Sequence, residues 1–284
     1  MRFRGNLFAA SFPILMEVST YMARVANADG CFVVITPERM SFVMKTGGED
    51  IQTFVHLAMA KLFVDVVLES RSENQIAFTL SIANFSKALQ SGKEASGILL
   101  RLLKRDGRSF LSLRARTVDV DIVQNIPIEV VSMASAENYK EPRVPSPTVA
   151  VEIPALRSLR TVTDRLKAMQ KYLTIEAKMD GSLRLRVQSD TFALETQHVN
   201  FKPRFDLVQD AEVDGDGSST EVATDRASTV RVDGRHFAKM LSVDGNAVTT
   251  VLCCLIDNRA LVLHSILCEG FGSFTCYSPV IAQE

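Results

Sequence analysis

Four times along the chain, an alternating apolar pattern typical of a strand passes into an amphipathic pattern typical of a helix. Ser81 and Asp233 stand where they can cap two of these helices, and Pro154 is tolerated in the first turn of a third. A strand-like run follows each helix. The chain therefore predicts four strand–helix–strands units. The strand and helix pairs are Arg2–Leu7 with Ser11–Asn27, Gln75–Leu80 with Ser81–Ser91, Val149–Ile153 with Pro154–Lys171, and Thr229–Val232 with Asp233–Val243, and the runs that follow them are Cys31–Thr36, Ile98–Leu103, Tyr172–Ala177 and Val248–Ile256.

The second and fourth units also resemble each other in sequence. Ser81–Leu89 and Asp233–Leu241 have a phenylalanine, a lysine and a leucine at equal offsets. Recurrence of such units along a chain indicates duplication. The matched positions are Phe85 with Phe237, Lys87 with Lys239, and Leu89 with Leu241.

A proline-rich stretch near the middle of the chain separates the first two units from the last two. Pro142, Pro145 and Pro147 fall within six residues, so neither a helix nor a central strand can run through them. We interpret residues 137–148 as an exposed, semi-rigid connector between domains at 1–136 and 149–284. The predicted fold class is α+β, with two duplicated domains that each pack two helices on antiparallel sheets.

Composition narrows the class of protein. The 284 residues are 46% hydrophobic and 23% charged, which suits two packed cores and excludes wholesale disorder. Because the net charge is −1, nucleic-acid binding would require local segregation of charge. The five cysteines show no metal-site spacing and predict reduced thiols in an intracellular protein. No leader or membrane span is indicated, so we expect a soluble protein without a membrane partner.

Basic residues recur on the predicted helix faces. In the third helix, Leu159, Val162, Leu166 and Met169 form the apolar face, and Asp164 is the one acid among the cations opposite. Phosphate recognition needs such a sequence-independent positive surface, whereas the alternative is an ordinary solvated face. The candidate phosphate contacts are Lys87, Arg157, Arg160, Lys167, Lys171, Arg235 and Lys239.

No sequence motif indicates catalysis, a cofactor or a metal. One segment nearly fits a calcium loop, with liganding positions at Asp210, Glu212, Asp214 and Glu221 around Gly215. Its flanks do not read as paired helices, so we interpret 206–225 as a flexible acidic insertion. We expect no enzymatic activity, no cofactor and no metal.

Several segments, taken in order, resemble the Hus-one subunits of the checkpoint sliding clamp, relatives of the replication clamp PCNA. The segments are Met1–Arg4, Ile122–Val130, Glu141–Pro147, Val151–Leu156 and Leu173–Gly181. The resemblance implies two clamp domains with helices lining a ring and sheets outside. It implies a nuclear, non-catalytic subunit that joins two related but distinct subunits to encircle double-stranded DNA. It also implies a clamp loader and repair or signalling proteins as partners.

A clamp subunit of this kind needs an unpaired strand at each end. We predict these strands at Ile126–Ala134, with Ile128, Val130 and Ser132, and at Thr191–Phe201, with Phe192, Leu194 and Thr196. The connector residues Pro142, Arg143, Val144 and Pro145 are candidates for client binding, and a plain tether is the alternative. Two other functions stay open, namely a self-associating replication clamp and an enzyme or scaffold that does not act on DNA.

Overall fold

The computed structural model describes residues 1–25, 30–45, 47–208, 225–243, 247–257 and 259–282. The chain forms two compact units. Unit 1 comprises Met1–Thr46, Gln52–Glu141 and Leu267–Phe274, and unit 2 comprises Gly47–Ile51, Pro142–Ile266 and Thr275–Glu284. The main change from one unit to the other falls between Glu141 and Pro142, inside the proline-rich stretch.

Unit 1 is an antiparallel sheet with two packed helices. Its sheet order is β4-β3-β2-β6-β9-β8-β7-β1-β5, and all eight neighbouring pairs are antiparallel. Helices α1 and α3 pack together, with the Thr20 and Ser86 hydroxyls 3.2 Å apart. The elements are β1 Arg2–Leu7, α1 Ser11–Val25, β2 Gly30–Ile35, β3 Arg39–Met44, β4 Gln52–Ala58, α2 Met59–Leu62, β5 Phe63–Glu69, β6 Ile76–Ser81, α3 Ile82–Ser91, β7 Gly97–Arg105, β8 Arg108–Arg116, β9 Asp121–Val131 and α4 Met133–Ala136.

Unit 2 repeats this plan with two sheets, ordered β14-β10-β16-β17-β18 and β13-β12-β11-β15. Helices α5 and α6 pack together, and a Cβ added at Gly234 would lie 3.1 Å from the Lys167 Cβ. The glycine therefore permits the close approach of the two helices. The elements are β10 Val149–Glu152, α5 Leu156–Met169, β11 Tyr172–Lys178, β12 Leu183–Gln188, β13 Ala193–His198, β14 Lys202–Pro203, β15 Ala227–Asp233, α6 Gly234–Met240, β16 Val248–Ile256, β17 Ala260–Leu267 and β18 Gly272–Pro279.

The predicted α+β class and its repeated strand–helix units are confirmed. Ser81 accepts a hydrogen bond from the Asn84 N–H at 3.1 Å, and Asp233 accepts one from the Arg235 N–H at 2.7 Å, so both capping predictions hold. The matched phenylalanines and leucines in or directly after α3 and α6 are all buried. Equivalent side chains therefore anchor equivalent helices in the two cores.

Several predicted boundaries are wrong. Helix α5 begins at Leu156 with Ala155 as its N-cap, so Pro154 precedes the helix instead of lying in its first turn. Helix α5 ends at Met169 and α6 at Met240, both earlier than predicted. Asn27 and the possible calcium ligands at 210–221 lie outside the described residues.

The beginning of the connector packs on unit 1. The Tyr139 ring stacks on Phe32 with centroids 3.9 Å apart and planes within 9°. Lys45 donates to the Asn138 carbonyl at 3.2 Å, and a Glu141 oxygen lies 3.5 Å from the His56 Nε2. Residues 138–141 are thus held by the sheet of unit 1, and the freely exposed part of the connector begins after them.

The geometry of one turn in unit 2 requires a glycine at position 181. Gly181 has φ +83°, and an added Cβ would lie 2.2 Å from the Phe201 carbonyl oxygen. Gly107 has a similar φ of +78° but no neighbouring atom within 4 Å of an added Cβ. Both positions disfavour a side chain through backbone strain, and Gly181 adds a backbone collision.

Candidate functional site

The basic side chains of α5 lie beside its buried stripe. Leu159, Thr163 and Leu166 are buried, and the Thr163 hydroxyl donates to the Leu159 carbonyl at 2.8 Å. At about 100° per residue, Arg157, Arg160 and Lys167 fall within a sector of roughly 80° next to this stripe. The side chains of Arg160 and Lys167 are 41% and 35% exposed.

Two parts of the predicted α5 amphipathicity are therefore wrong. Arg160 and Lys167 flank the core instead of opposing it, and Lys167 also packs beside Gly234 of α6. Met169, which the helical pattern places on the apolar face, is 49% exposed. The buried position at the centre of the stripe belongs to Thr163, whose bonded hydroxyl makes burial compatible with its polarity.

Asp164 neutralises part of the basic surface of α5. Its carboxylate forms a short hydrogen bond with the Lys167 ammonium and lies 3.8 Å from the Arg160 guanidinium. These i, i+3 and i, i+4 spacings place the three side chains together on the helix. Arg160, Asp164 and Lys167 therefore carry a net charge of about +1 as a group.

Lys171 lies beyond the end of α5 and contacts the first residue of β11. Its Nζ is 4.9 Å from the centre of the Tyr172 ring. The contact with the Tyr172 side chain, together with the charges of Asp233 and Glu49, raises the pKa of Lys171. The lysine therefore stays protonated at neutral pH.

Three of the predicted phosphate contacts have no carboxylate partner among the described residues. Arg157 on α5 and Arg235 on α6 are exposed in unit 2, and Lys87 on α3 is exposed in unit 1. Lys239 is half-buried on α6.

The sequence pattern did not single out Arg165 of α5. This side chain is exposed, and it lies about 80° around the helix from Arg157, on the side away from Lys167. A count of every cation on the helix would have found it.

Strand β13 lies within the predicted segment Thr191–Phe201 and at an end of the four-stranded sheet, where β12 is its one neighbour among the described strands. The Ser189 N–H donates to the Phe192 carbonyl at 2.8 Å, which closes the β12–β13 hairpin. Because bonding alternates along an antiparallel ladder, the Leu194 and Thr196 amides face β12, whereas the Glu195 and Gln197 amides face the open edge. Phe192 and Leu194 are 36% and 39% exposed.

The predicted edge at Ile126–Ala134 is wrong in its position. Residues 128–131 pair with β6, with Ile128 opposite Leu80 and Val130 opposite Phe78. Ser132 lies beyond β9 and caps α4. Sequence patterning missed the pairing with β6 because it joins strands about fifty residues apart.

The open part of β9 is instead Asp121–Pro127, which pairs only with β8 among the described strands. The Thr117 N–H donates to the Val120 carbonyl at 2.9 Å and closes the β8–β9 hairpin. Because bonding alternates along this ladder too, the Val123 and Asn125 amides face away from β8. The nitrogen of Pro127 faces the same way and carries no hydrogen, so it cannot donate. Val123 is 50% exposed. The open part of β9 in unit 1 and strand β13 in unit 2 therefore each present an open strand edge with an uncovered apolar side chain.

The remaining candidate residues are those of the connector, the thiols and possible metal ligands. Arg143, Val144 and Pro145 are exposed, and Pro142 is half-buried. None of the five cysteines, all of which lie in the described residues, forms a disulfide; burial raises the pKa of Cys31 and Cys253, and raises that of Cys254 to about 11. In the described part of the chain, no group of three or more His, Cys, Asp or Glu side chains could hold a metal ion. None of the described helices is long and apolar enough to cross a membrane.

The sequence profile of the family described as Hus1-like protein matches residues 1–281. The chain belongs to the Hus1-like protein family. It is 30% identical to Checkpoint protein hus1 of Schizosaccharomyces pombe over 240 residues, which cover 82% of this chain and 83% of that one. It is 27% identical to the Checkpoint protein hus1 homolog of Dictyostelium discoideum, with both chains fully covered. It is 22% identical to human Checkpoint protein HUS1 over 99% of this chain and all of the human one.

The fold has a match among solved structures. PCNA from Thermococcus kodakaraensis aligns with a TM-score of 0.71 at 12% identity, over 98% of this chain and 100% of that one. This likeness confirms the predicted PCNA-like fold. With the family membership, it identifies the chain as a checkpoint clamp subunit, and Hus1-like subunits are generally non-catalytic scaffolds.

Proposed function

We propose that the chain forms a ring with two related but distinct clamp subunits, and that the ring encircles double-stranded DNA without reading its sequence. The open edges of β9 and β13 carry this proposal. Unpaired strand edges with exposed apolar side chains template pairing with another chain. In a ring, the β9 edge of one subunit would pair with the β13-type edge of its neighbour.

The basic residues supply the DNA contact in this proposal. Lys87, Arg157 and Arg235 have no carboxylate partner in the described part of the chain, so their charge is available to phosphates. Such contacts position a protein on DNA but carry no base specificity. We assign the subunit no enzymatic activity, a nuclear site of action, and a clamp loader with repair and signalling proteins as partners. The exposed connector residues Arg143, Val144 and Pro145 are the surface assigned to clients.

Edge variants test the ring. Val123→Pro removes an amide that faces the open side of β9, and Gln197→Pro does the same on β13. Neither change removes a donor from the ladder within the subunit. We expect both variants to lose co-elution with the two related subunits while their urea unfolding midpoints stay near that of the wild type. Val123→Ile, which keeps the amide and the apolar side chain, is the control and should assemble.

Two results would count against the assignment. Normal co-elution of both proline variants would show that these edges do not close the ring. A stable homotrimer of the purified chain would instead favour the self-associating replication clamp. Both outcomes can be read by size-exclusion chromatography with light scattering.

A further inference from the structure

The four-stranded sheet of unit 2 has a solvent face that turns away from the helices. Along β11, Leu173 and Ile175 are buried on the side of α5, while Tyr172 and Thr174 are half-exposed on the other side. This second face contains a cavity of about 550 Å³, which we call the outer-face cavity. Its lining includes Tyr172, Thr174, Glu176, Arg184, Arg186 and Arg231.

Two arginines flank one threonine in this cavity. Thr174 of β11 lies directly opposite Arg186 on β12 and Arg231 on β15. With strands about 4.8 Å apart, the two arginine Cα atoms stand about 10 Å from each other across Thr174. Their long side chains can therefore reach a single group bound above the threonine hydroxyl.

Both arginines are held in place without losing their charge. The Arg186 Nη2 donates to the Gln188 Oε1 at 2.7 Å, and the Arg231 guanidinium lies 5.0 Å from the centre of the Tyr172 ring. Amide and aromatic partners orient a guanidinium but leave it cationic. No carboxylate of the described residues is within ion-pair distance of either one.

A third arginine of the cavity differs and serves as an internal comparison. The Arg184 guanidinium lies 3.9 Å from a Glu176 oxygen and 3.8 Å from a Glu195 oxygen. Its charge is therefore compensated within the sheet. The uncompensated charge of the cavity is concentrated on Arg186 and Arg231.

We propose that the outer-face cavity is a docking site for a phosphorylated serine or threonine in a segment of a partner protein, with Arg186 and Arg231 as the phosphate ligands. The planar guanidinium fork matches phosphate oxygens in a bidentate manner. Because Arg184 pairs with Glu176 and Glu195, the uncompensated positive charge is confined to two side chains about 10 Å apart, which fits a single phosphate better than the long run of phosphates in a DNA backbone. The face also points away from α5 and α6, which carry the proposed DNA contacts.

An oriented phosphothreonine peptide library gives the test, with the same library unphosphorylated as the first comparison. The full-length chain should retain phosphorylated peptides selectively. For the best peptide, Arg186→Gln and Arg231→Gln should each weaken binding by about tenfold or more, since hydrogen bonds to charged groups are strong. Arg186→Lys should bind with intermediate affinity because it keeps the charge and loses the fork. Arg184→Gln/Glu176→Gln, which removes one paired cation with one of its carboxylates and keeps the net charge of the cavity, is the matched control and should stay within about twofold of the wild type.

Three results would overturn the proposal. These are equal retention of the unphosphorylated library, unchanged affinity in the Arg186 and Arg231 variants that remain folded by thermal melting, and equal weakening by the charge-conserving control Arg184→Gln/Glu176→Gln. A 12-base-pair duplex serves as a competitor. If it displaces the peptide and its own binding is lost in the same variants, the surface binds DNA phosphates instead. None of these outcomes depends on whether the subunit forms a ring.

Discussion

Replacing Lys87, Arg157 and Arg235, which have no carboxylate partner in the described part of the chain, should reduce the salt dependence of DNA binding more than replacing Arg160, Asp164 and Lys167 together. The first variant is Lys87→Gln/Arg157→Gln/Arg235→Gln, which removes three charges. The second is Arg160→Gln/Asp164→Asn/Lys167→Gln, which alters three side chains but removes a net charge of about one, because Asp164 pairs with both cations. The two variants therefore match in the number of substitutions and differ in the charge lost.

The expected magnitudes follow from counterion release. Each lost phosphate contact on B-DNA lowers the slope of log K against log salt by about 0.9, so the first variant should lose about 2.7 and the second about 0.9. When the salt concentration rises from 50 to 200 mM, the affinity of the wild type for DNA should therefore fall by about 40-fold more than that of the first variant. The assay is fluorescence anisotropy of the assembled complex on duplexes of two unrelated sequences.

Two outcomes would refute this reasoning. If the first variant kept the wild-type slope, these residues would be ordinary solvated helix positions. If the slope of log K against log salt fell equally in both variants, pairing with Asp164 would not reduce the contribution of Arg160 and Lys167 to DNA binding. A loss that differed between the two duplex sequences would indicate base readout, which the proposal excludes.

Three further predictions concern the fold. Gly181→Ala should destabilise the chain by more than about 2 kcal/mol through backbone strain and collision, whereas Gly107→Ala should cost about 1 kcal/mol; equal urea midpoints for the two would contradict the collision. Tyr139→Ala should remove the ring stack and increase tryptic cleavage of the connector, with Tyr139→Phe resembling the wild type. Because burial holds the pKa of Cys254 at about 11, its labelling by a thiol reagent should accelerate about 100-fold from pH 8 to pH 10; a rise of about tenfold or less, as an ordinary thiol gives, would contradict the raised pKa.

The features that could be predicted from sequence are the ones set by nearby residues. Ser81 and Asp233 cap helices because their oxygens meet amides two or three residues away, which spacing alone reveals. The 3.6-residue pattern likewise located all four longer helices. The pairing of Asp164 with both neighbours was also local, and its i, i+3 and i, i+4 spacing could have indicated it.

The features that could not be predicted depend on distant parts of the chain. The pairing of Val130 with Phe78 joins strands from different hairpins, so no local pattern shows which half of β9 is open. On α5 the sheet and α6 bury Thr163 and leave Met169 exposed. Hydropathy alone predicts the opposite, because methionine is the more apolar residue. In both cases tertiary contacts decided between positions that are locally similar.

The proposed function requires the subunit to act within a ring closed around DNA. The most direct measurement is retention of the assembled complex on circular DNA in high salt, before and after the circle is cut once. The proposal predicts retention on the intact circle and release within minutes of linearisation, since a ring held by topology slides off a free end. Equal retention on circular and linear DNA, or equal loss from both, would contradict it.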